Sequence, residues 1–387
     1  MDRSGPPRRY LDNAATSWPK PESVLAAWTN AARDVGAAAG RGGHAAAIAA
    51  DSIRSRARLR AAALLGGVDP ARVALPSGAT LGLNMAIHGL VRPGDHAIAT
   101  AADHNATLRP LEHLRRSNVI DLTIVPCDGL GRVDPAAIAA AWRPATRFVV
   151  FSHASNVTGA LQDATAIAAI AHERGGLVVL DASQSLGQVA NGGGHPPAWG
   201  ADVVVAPAHK WLHGMAGVAI LWARAGVEIE PLVQGGTGSA SDSLAMPTEF
   251  ADRLEAGTPD LPALAALDAA ATWLETETVA ALRERCGTLA AACAARLREI
   301  RGARVFAALE GGPPIVSFTL QGYDPGELAA LLEQAAGVQA RSGFHCAACV
   351  HEWLGTQAGG TVRLAFGPFN TAADVDAVVA AVEQFAT

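Results

Sequence analysis

Short apolar runs alternate with alanine-rich helical runs through the first two thirds of this chain, and that exchange limits its fold more than any other feature. Strand-like runs lie at 72–75, 96–100, 122–125, 147–152, 177–180, 202–206 and 218–222, with helical stretches such as 80–89, 134–142 and 163–174 between them. A helix between two strands makes a crossover, and crossovers lay strands parallel with helices on both faces. The alanine excess also favours helix, but a biased genome would give the same excess, so it carries little weight.

The texture changes near Asp260. Two long helices are predicted over 261–274 and 278–301, then a strand at 314–320, a helix at 325–335, a strand at 362–366 and a terminal helix at 372–385. This outlines a smaller α+β unit. The glycine-rich stretches at 192–194 and 235–238 are expected to be long loops.

Composition narrows the class. Of 387 residues, half are hydrophobic and 17% charged, which excludes a disordered or fibrous chain. Lys plus Arg is 30 against 36 Asp plus Glu, a net charge of −6, so no cationic excess suits nucleic acid or an anionic membrane. No apolar stretch reaches 18 residues, and no apolar run follows the basic residues of the N-terminus. Five cysteines in a chain with a large core do not suggest disulfide stapling. A cytoplasmic enzyme is expected.

Five segments carry candidate chemistry. In VVLDASQSLGQ, Asp181 follows an apolar strand, where a carboxylate can face the nitrogen of a pyridinium ring or simply cap the next turn. In VVVAPAHKWLHG, Lys210 ends another such strand and is one of only two lysines, with Lys20, in an arginine-biased chain. It is a candidate Schiff-base lysine, or else a surface lysine lying on the sheet edge. Thr80, between a strand and a helix start, offers either an anion site or an ordinary cap. The segment RSGFHCAACVHEWLG gathers Arg341, His345, Cys346, Cys349 and His351. Zinc lacks a second ligand pair and a thioredoxin-like unit is not apparent, which leaves one reactive thiol on a mobile loop, activated by His345 and Arg341. Arg363, in GTVRLAFG, suits a carboxylate clamp or a structural ion pair.

Taken together, YLDNAATSWPKPE, RGGHAAA, SGATLGLN, DHNATLRPL, SHASNVTGALQD, LDASQSLG, HKWLHG, GGTGS, RLEAGTPD, RSGFHCA and TVRLAFGPFNT resemble, in order along nearly the whole chain, the class V aminotransferases that use pyridoxal 5'-phosphate (PLP). Within them the resemblance is to cysteine desulfurases and selenocysteine lyases with the compact loop. It implies a PLP fold type I α/β protein, with a large domain over 15–260 on a mainly parallel seven-stranded sheet. A smaller α+β domain would span 261–387, with 1–14 packing on it. It also implies a homodimer, an amino-acid substrate and a sulfur-acceptor protein.

Position by position, the resemblance implies that Lys210 holds PLP and moves protons at the substrate Cα. Asp181 would pair with the ring nitrogen, Gln184 with the ring hydroxyl, and His104 would stack on the ring. Ala79, Thr80 and His209 would bind the phosphate, helped by Thr237 of a second subunit. Asn156 would lie beside the cofactor and the substrate carboxylate. Arg363 would clamp the α-carboxylate, with Arg341, Asn13 and Ala14 around it, and Cys346 would take the sulfur as a persulfide. The implied activity is conversion of L-cysteine to L-alanine. The alternatives are a C–S lyase, selenocysteine lyase or aminotransferase acting on a specialised substrate, or a colourless paralogue acting only as a scaffold. Pro207, Ala208, Met215, Ser183 and Asp103 depart from the family pattern, and Cys349 is read as a small buried residue or as a thiol that resolves the persulfide.

Overall fold

The computed structural model describes residues 6–40, 42–189 and 195–386. The first elements are β1 (Arg9–Tyr10), α1 (Glu22–Asp34), α2 (Ala45–Leu64), β2 (Val73–Ala74), α3 (Ala79–Leu90), β3 (Asp95–Thr100) and α4 (Asn105–Arg116). Next come β4 (Ile120–Val125), α5 (Pro135–Ala141), β5 (Thr146–Ser152), α6 (Ala164–Glu173), β6 (Leu177–Asp181), β7 (Val203–Pro207) and β8 (Ala219–Ala223). An irregular stretch over 224–249 precedes α7 (Phe250–Leu254), α8 (Leu261–Glu277) and α9 (Val279–Glu299). The chain closes with β9 (Ala303–Phe306), β10 (Ile315–Leu320), α10 (Pro325–Ala336), β11 (Val338–Gln339), β12 (Arg341–Gly343), α11 (Val350–Leu354), β13 (Thr361–Ala365) and α12 (Ala372–Phe385).

A seven-stranded sheet has the order β2-β8-β7-β6-β5-β3-β4. Every pair is parallel except the two made by β8, which runs against β7 and β2. Its central strands are buried along almost their whole length because helices cover both faces. The two faces separate by the period of two: Val149, Phe151, Val178 and Leu180 enter one core, while Phe148, Val150 and Val179 enter the other. The helices join these cores through small side chains. In α2, Ala47, Ala50, Ile53, Ala57 and Ala61 are buried at helical spacing. Helix α8 packs on α1 and α2 and sends Leu261, Leu264, Leu267 and Leu274 into the larger of the two cores.

A second, four-stranded antiparallel sheet, β12-β13-β10-β9, is covered by α9, α10 and α12. The N-terminal segment joins it: β1 pairs in parallel with β11, and Leu11 is buried in this core. Asp12 bridges to Ala365, and Ser17 N donates to the carbonyl of His209, so residues 12–17 run from the small sheet back to the large one.

Two expectations shift in detail. Asp181 is the last residue of β6 rather than the residue after it, and β7 stops at Pro207, leaving Lys210 in the following turn. Residues 235–238 fall in the irregular stretch, and the loop expected at 192–194 lies outside the described residues. No helix among the described residues is long and apolar enough to cross a membrane.

Candidate active site

Ser152, Asp181 and Pro207 end three neighbouring strands, β5, β6 and β7, and all three line one cavity of about 300 Å³. The carboxyl edge of a parallel sheet collects ligands because loops and helix N-termini meet there. Helix α3 presents Ala79 and Thr80 to the same cavity, and its cap, Gly78, supplies no side-chain acceptor. The first N–H groups of α3 and its dipole are therefore open to an anion.

Lys210 lines the same cavity, half-buried. Burial pushes its pKa down to about 8; Asp181 opposes that shift, while Arg363 and Arg341 add to it. The Asp181 carboxylate accepts from Ser183 N at 2.9 Å and lies 3.5 Å from Ser152 Oγ. No helix follows it, so the bond to Ser183 holds the carboxylate in place without capping a helix.

His104 caps α4, its Nδ1 accepting from Ala106 N at 2.9 Å, which leaves the ring proton on Nε2. Burial holds its pKa down at about 4, so it is a neutral flat ring on the cavity wall. His209 is likewise held down to about 4, by burial and then by Lys210 and Lys20. It can donate one hydrogen bond to an anion but no charge.

Gln184 also lines the cavity, with its amide already engaged. Its Oε1 accepts from Trp211 Nε1 at 2.7 Å and its Nε2 donates to Ala14 O at 3.0 Å, leaving a single free N–H. Asn156 Nδ2 donates to His345 O at 2.7 Å. Asn13 and Ala14 are buried just behind the wall, which Ala15 forms instead. Thr237 lines two other cavities, neither of which includes Lys210.

Arg363 does not line the cavity. It is 1% exposed, and its guanidinium donates to Asp12 Oδ1 at 2.6 Å and to Asn156 O at 2.9 Å. Its Nε is buried without a hydrogen-bond partner, the one donor nitrogen of the fork not engaged. The sequence did not single out Asp12 as its counter-ion, because the two are far apart in the chain. Asp12→Ala should leave the buried guanidinium unpaired and lower stability by about 3 kcal/mol, the low end for such a charge because Asp12 is 22% exposed. A denaturant titration checks it: an unchanged midpoint would mean that solvent already compensates Arg363.

Cys346 is exposed and outside the cavity lining, with Arg341 Nη2 3.0 Å from its Sγ. Arg341 also lines the cavity, so one guanidinium joins the thiol to the space where Lys210 lies. The loop is anchored where mobility was expected: Cys346 O accepts from Asn105 N at 2.7 Å and His345 O from Asn156. His345 and Cys346 both have left-handed φ, 50° and 59°, a strained pair that these contacts hold. His345 lends the thiol no positive charge. It is buried, bonds Thr361 Oγ1 at 2.9 Å, and burial with the nearby arginines holds its pKa well below the usual value, so it carries no charge. Cys349 is half-buried, packs against both large cores, and has its pKa raised by burial, Asp103 and Glu352, all of which suits the packing role.

The loop also depends on Gly360. Its φ is +84°, and a Cβ there would meet at 2.1 Å the carbonyl oxygen of Gly343, the last residue of β12 before the loop of Cys346. Gly360→Ala should lower stability by about 1–3 kcal/mol and change the alkylation rate of Cys346. A variant with wild-type melting and wild-type alkylation would show that the two strands separate without penalty.

Fold and site together define an α/β enzyme whose lysine and acid face one cavity at the carboxyl edge of the sheet. A model of the family described as aminotransferase class-V matches residues 9–378, and the chain belongs to that family. A protein named probable cysteine desulfurase from Pseudomonas aeruginosa is 32% identical over 97% of this chain and 93% of its own. Another so named, from Methanothermobacter thermautotrophicus, is 29% identical over 97% and 94%. Among solved structures, an apo cysteine desulfurase from Thermococcus onnurineus superposes with a TM-score of 0.89 at 25% identity, covering 99% of this chain and 96% of that one. The cysteine desulfurase CsdA of Escherichia coli gives 0.85 at 26%, covering 97% and 94%.

Proposed function

We propose that this protein is a PLP-dependent cysteine desulfurase, converting L-cysteine to L-alanine with the sulfur carried on Cys346. One observation carries the reading: Arg341 touches the Cys346 thiol and the wall of the cavity that holds Lys210 and Asp181. The residues fit PLP. An uncapped helix N-terminus suits its phosphate, Asp181 suits its ring nitrogen, the neutral His104 suits its ring face, and Lys210 suits its aldehyde.

When bound, PLP supplies an electron sink for bonds at the substrate Cα. Lys210 would hold the cofactor and then carry the Cα proton, which its depressed pKa allows near neutral pH. Asp181 would keep a proton on the ring nitrogen. Ala79 and Thr80, through backbone N–H groups, and His209 would bind the phosphate, and the free N–H of Gln184 would meet the ring hydroxyl. The unpartnered Nε of Arg363 would donate to the α-carboxylate, with Asn156 fixing that guanidinium through its carbonyl. Cys346 Sγ would bond the substrate sulfur as the C–S bond breaks, giving a persulfide and alanine. In a homodimer, Thr237 would complete the phosphate site of a second copy, and a sulfur-acceptor protein would meet the exposed Cys346.

A second reading, a C–S lyase, selenocysteine lyase or aminotransferase, is favoured by the exposed position of Sγ, off the cavity wall. The products decide between them. With PLP, L-cysteine and a thiol reductant, the desulfurase releases alanine and sulfide in equal amounts, whereas pyruvate would establish a lyase.

Two further outcomes are expected. Capture of PLP needs the free amine of Lys210, so its rate should rise with pH to half its maximum near pH 8, well below the 10.5 of an ordinary lysine. A midpoint near 10 would show that the amine is solvated. Asp181→Asn should lower turnover by about 100-fold or more while PLP still binds, because an amide cannot keep the ring nitrogen protonated. Absorbance titration with turnover assays separates the two effects, and undiminished turnover would remove Asp181 from the mechanism.

A further inference from the structure

The chain contains only two lysines among its 30 cationic residues, and they meet at one peptide bond. Lys20 Nζ donates to the carbonyl oxygen of His209 at 2.9 Å, and that carbonyl belongs to the peptide leading into Lys210. Lys20 also donates to Ser17 Oγ at 2.8 Å. The same His209 oxygen accepts from Ser17 N at 2.9 Å, Thr16 Oγ1 at 3.1 Å and Ser17 Oγ at 3.2 Å. Four donors from one short segment thus converge on a single carbonyl.

This is more than a surface lysine needs. Among the described residues no carboxylate pairs with Lys20, and its surroundings are neutral oxygens. Holding a half-buried ammonium there without a counter-ion is unfavourable, and burial alone lowers its pKa to about 7. One nitrogen on a slim stem thus reaches both oxygens, Ser17 Oγ at 2.8 Å and His209 O at 2.9 Å. The charge has a second effect, since it helps keep His209 neutral.

We infer that Lys20 is a positioning residue for the reaction: it fixes the His209–Lys210 peptide so that the Lys210 amine is held toward the cavity. Resting on the assignment of Lys210 as the cofactor lysine, this gives residues 16–20 the task of bracing the turn that carries it. The strand ends at Pro207, so no sheet hydrogen bonds stiffen residues 209 and 210, and the N-terminal segment supplies that rigidity from outside. Pre-organisation of this kind speeds a step by restricting the geometries its amine explores.

The test follows PLP as it attaches to Lys210 in the full-length protein. Wild type, Lys20→Met and Lys20→Arg are mixed with PLP at pH 8, quenched with borohydride at intervals, and mapped by peptide mass; with two lysines the site of the pyridoxyl group is unambiguous. Lys20→Met, which keeps the stem and loses the donors, should slow fixation on Lys210 about tenfold, while Lys20→Arg stays within threefold of wild type. With α-deuterated cysteine, Lys20→Met should also show a larger isotope effect on turnover, because the proton carried by Lys210 then limits the rate. Thermal melting shows whether each variant is folded. A folded Lys20→Met that captures PLP at the wild-type rate, or a Lys20→Arg as slow as Lys20→Met, overturns the inference and leaves the cofactor assignment standing. Wild-type protein fixing PLP on Lys20 in place of Lys210 overturns both.

Discussion

Cys346→Ala should lower the release of alanine and sulfide from L-cysteine by about a thousandfold, a rise of roughly 4 kcal/mol in the barrier, while the protein stays folded and keeps its cofactor. The reasons are local. The thiol is exposed, its one hydrogen bond is to Arg341, and the loop is anchored by backbone carbonyls that alanine retains. Alanine at 346 meets the same left-handed backbone, so the strain is not changed. A surface change of this kind shifts stability by about 0.5 kcal/mol or less. Activity that survives the substitution would mean that sulfur leaves without the thiol, and the lyase reading would replace the desulfurase.

Lys210→Met should remove turnover altogether, and at least the 10²–10⁴-fold share that a positioned acid–base group supplies. It should also change stability in a direction that a purely structural residue would not. The folded-state pKa of Lys210 is about 8 against 10.5 for an ordinary lysine, so between these values the unfolded chain holds the proton and the folded one does not. Stability of the cofactor-free wild type therefore rises with pH across that window, by about 3 kcal/mol at most, and below pH 8 the buried ammonium destabilises the fold. Lys210→Met has no such group, so it should melt higher than wild type at pH 7 and lose that advantage as pH climbs from 8 to 10.5. Melting curves of the two cofactor-free proteins at pH 7 and pH 10 check this. Equal midpoints at both would show that Lys210 is solvated and unsuited to act as a base near neutrality.

Much of the large sheet was legible because parallel strands buried on both faces leave unbroken apolar runs. All seven runs became its seven strands, displaced by a residue or two at their ends. The antiparallel direction of β8 was not legible, since an apolar run looks the same in either direction. Short strands were lost as well: β1 and β11 are two residues each and exist only because they pair with one another. Within the site, Asp181, Lys210 and Thr80 could be picked out because each lies near a strand end or a helix start, and strand order brings such positions to one edge, whereas His104 came only through the family resemblance.

Residue types, strand spacing and motif order, which are properties of contiguous segments, thus carried the family and the lysine–acid pair in the cavity. The state of each group depended on partners that only packing of the two layers supplies. Arg363 meets Asp12 across 351 positions, Asn156 reaches the carbonyl of His345 across 189, and Lys20 reaches that of His209 across 189. His345 looked like a charge beside the thiol, but burial beneath the loop removes its proton and leaves Arg341 alone in contact with the sulfur. Desolvation and hydrogen bonding act over a few ångströms of space whatever the distance along the chain, so these protonation states and pairings were settled only in the folded structure.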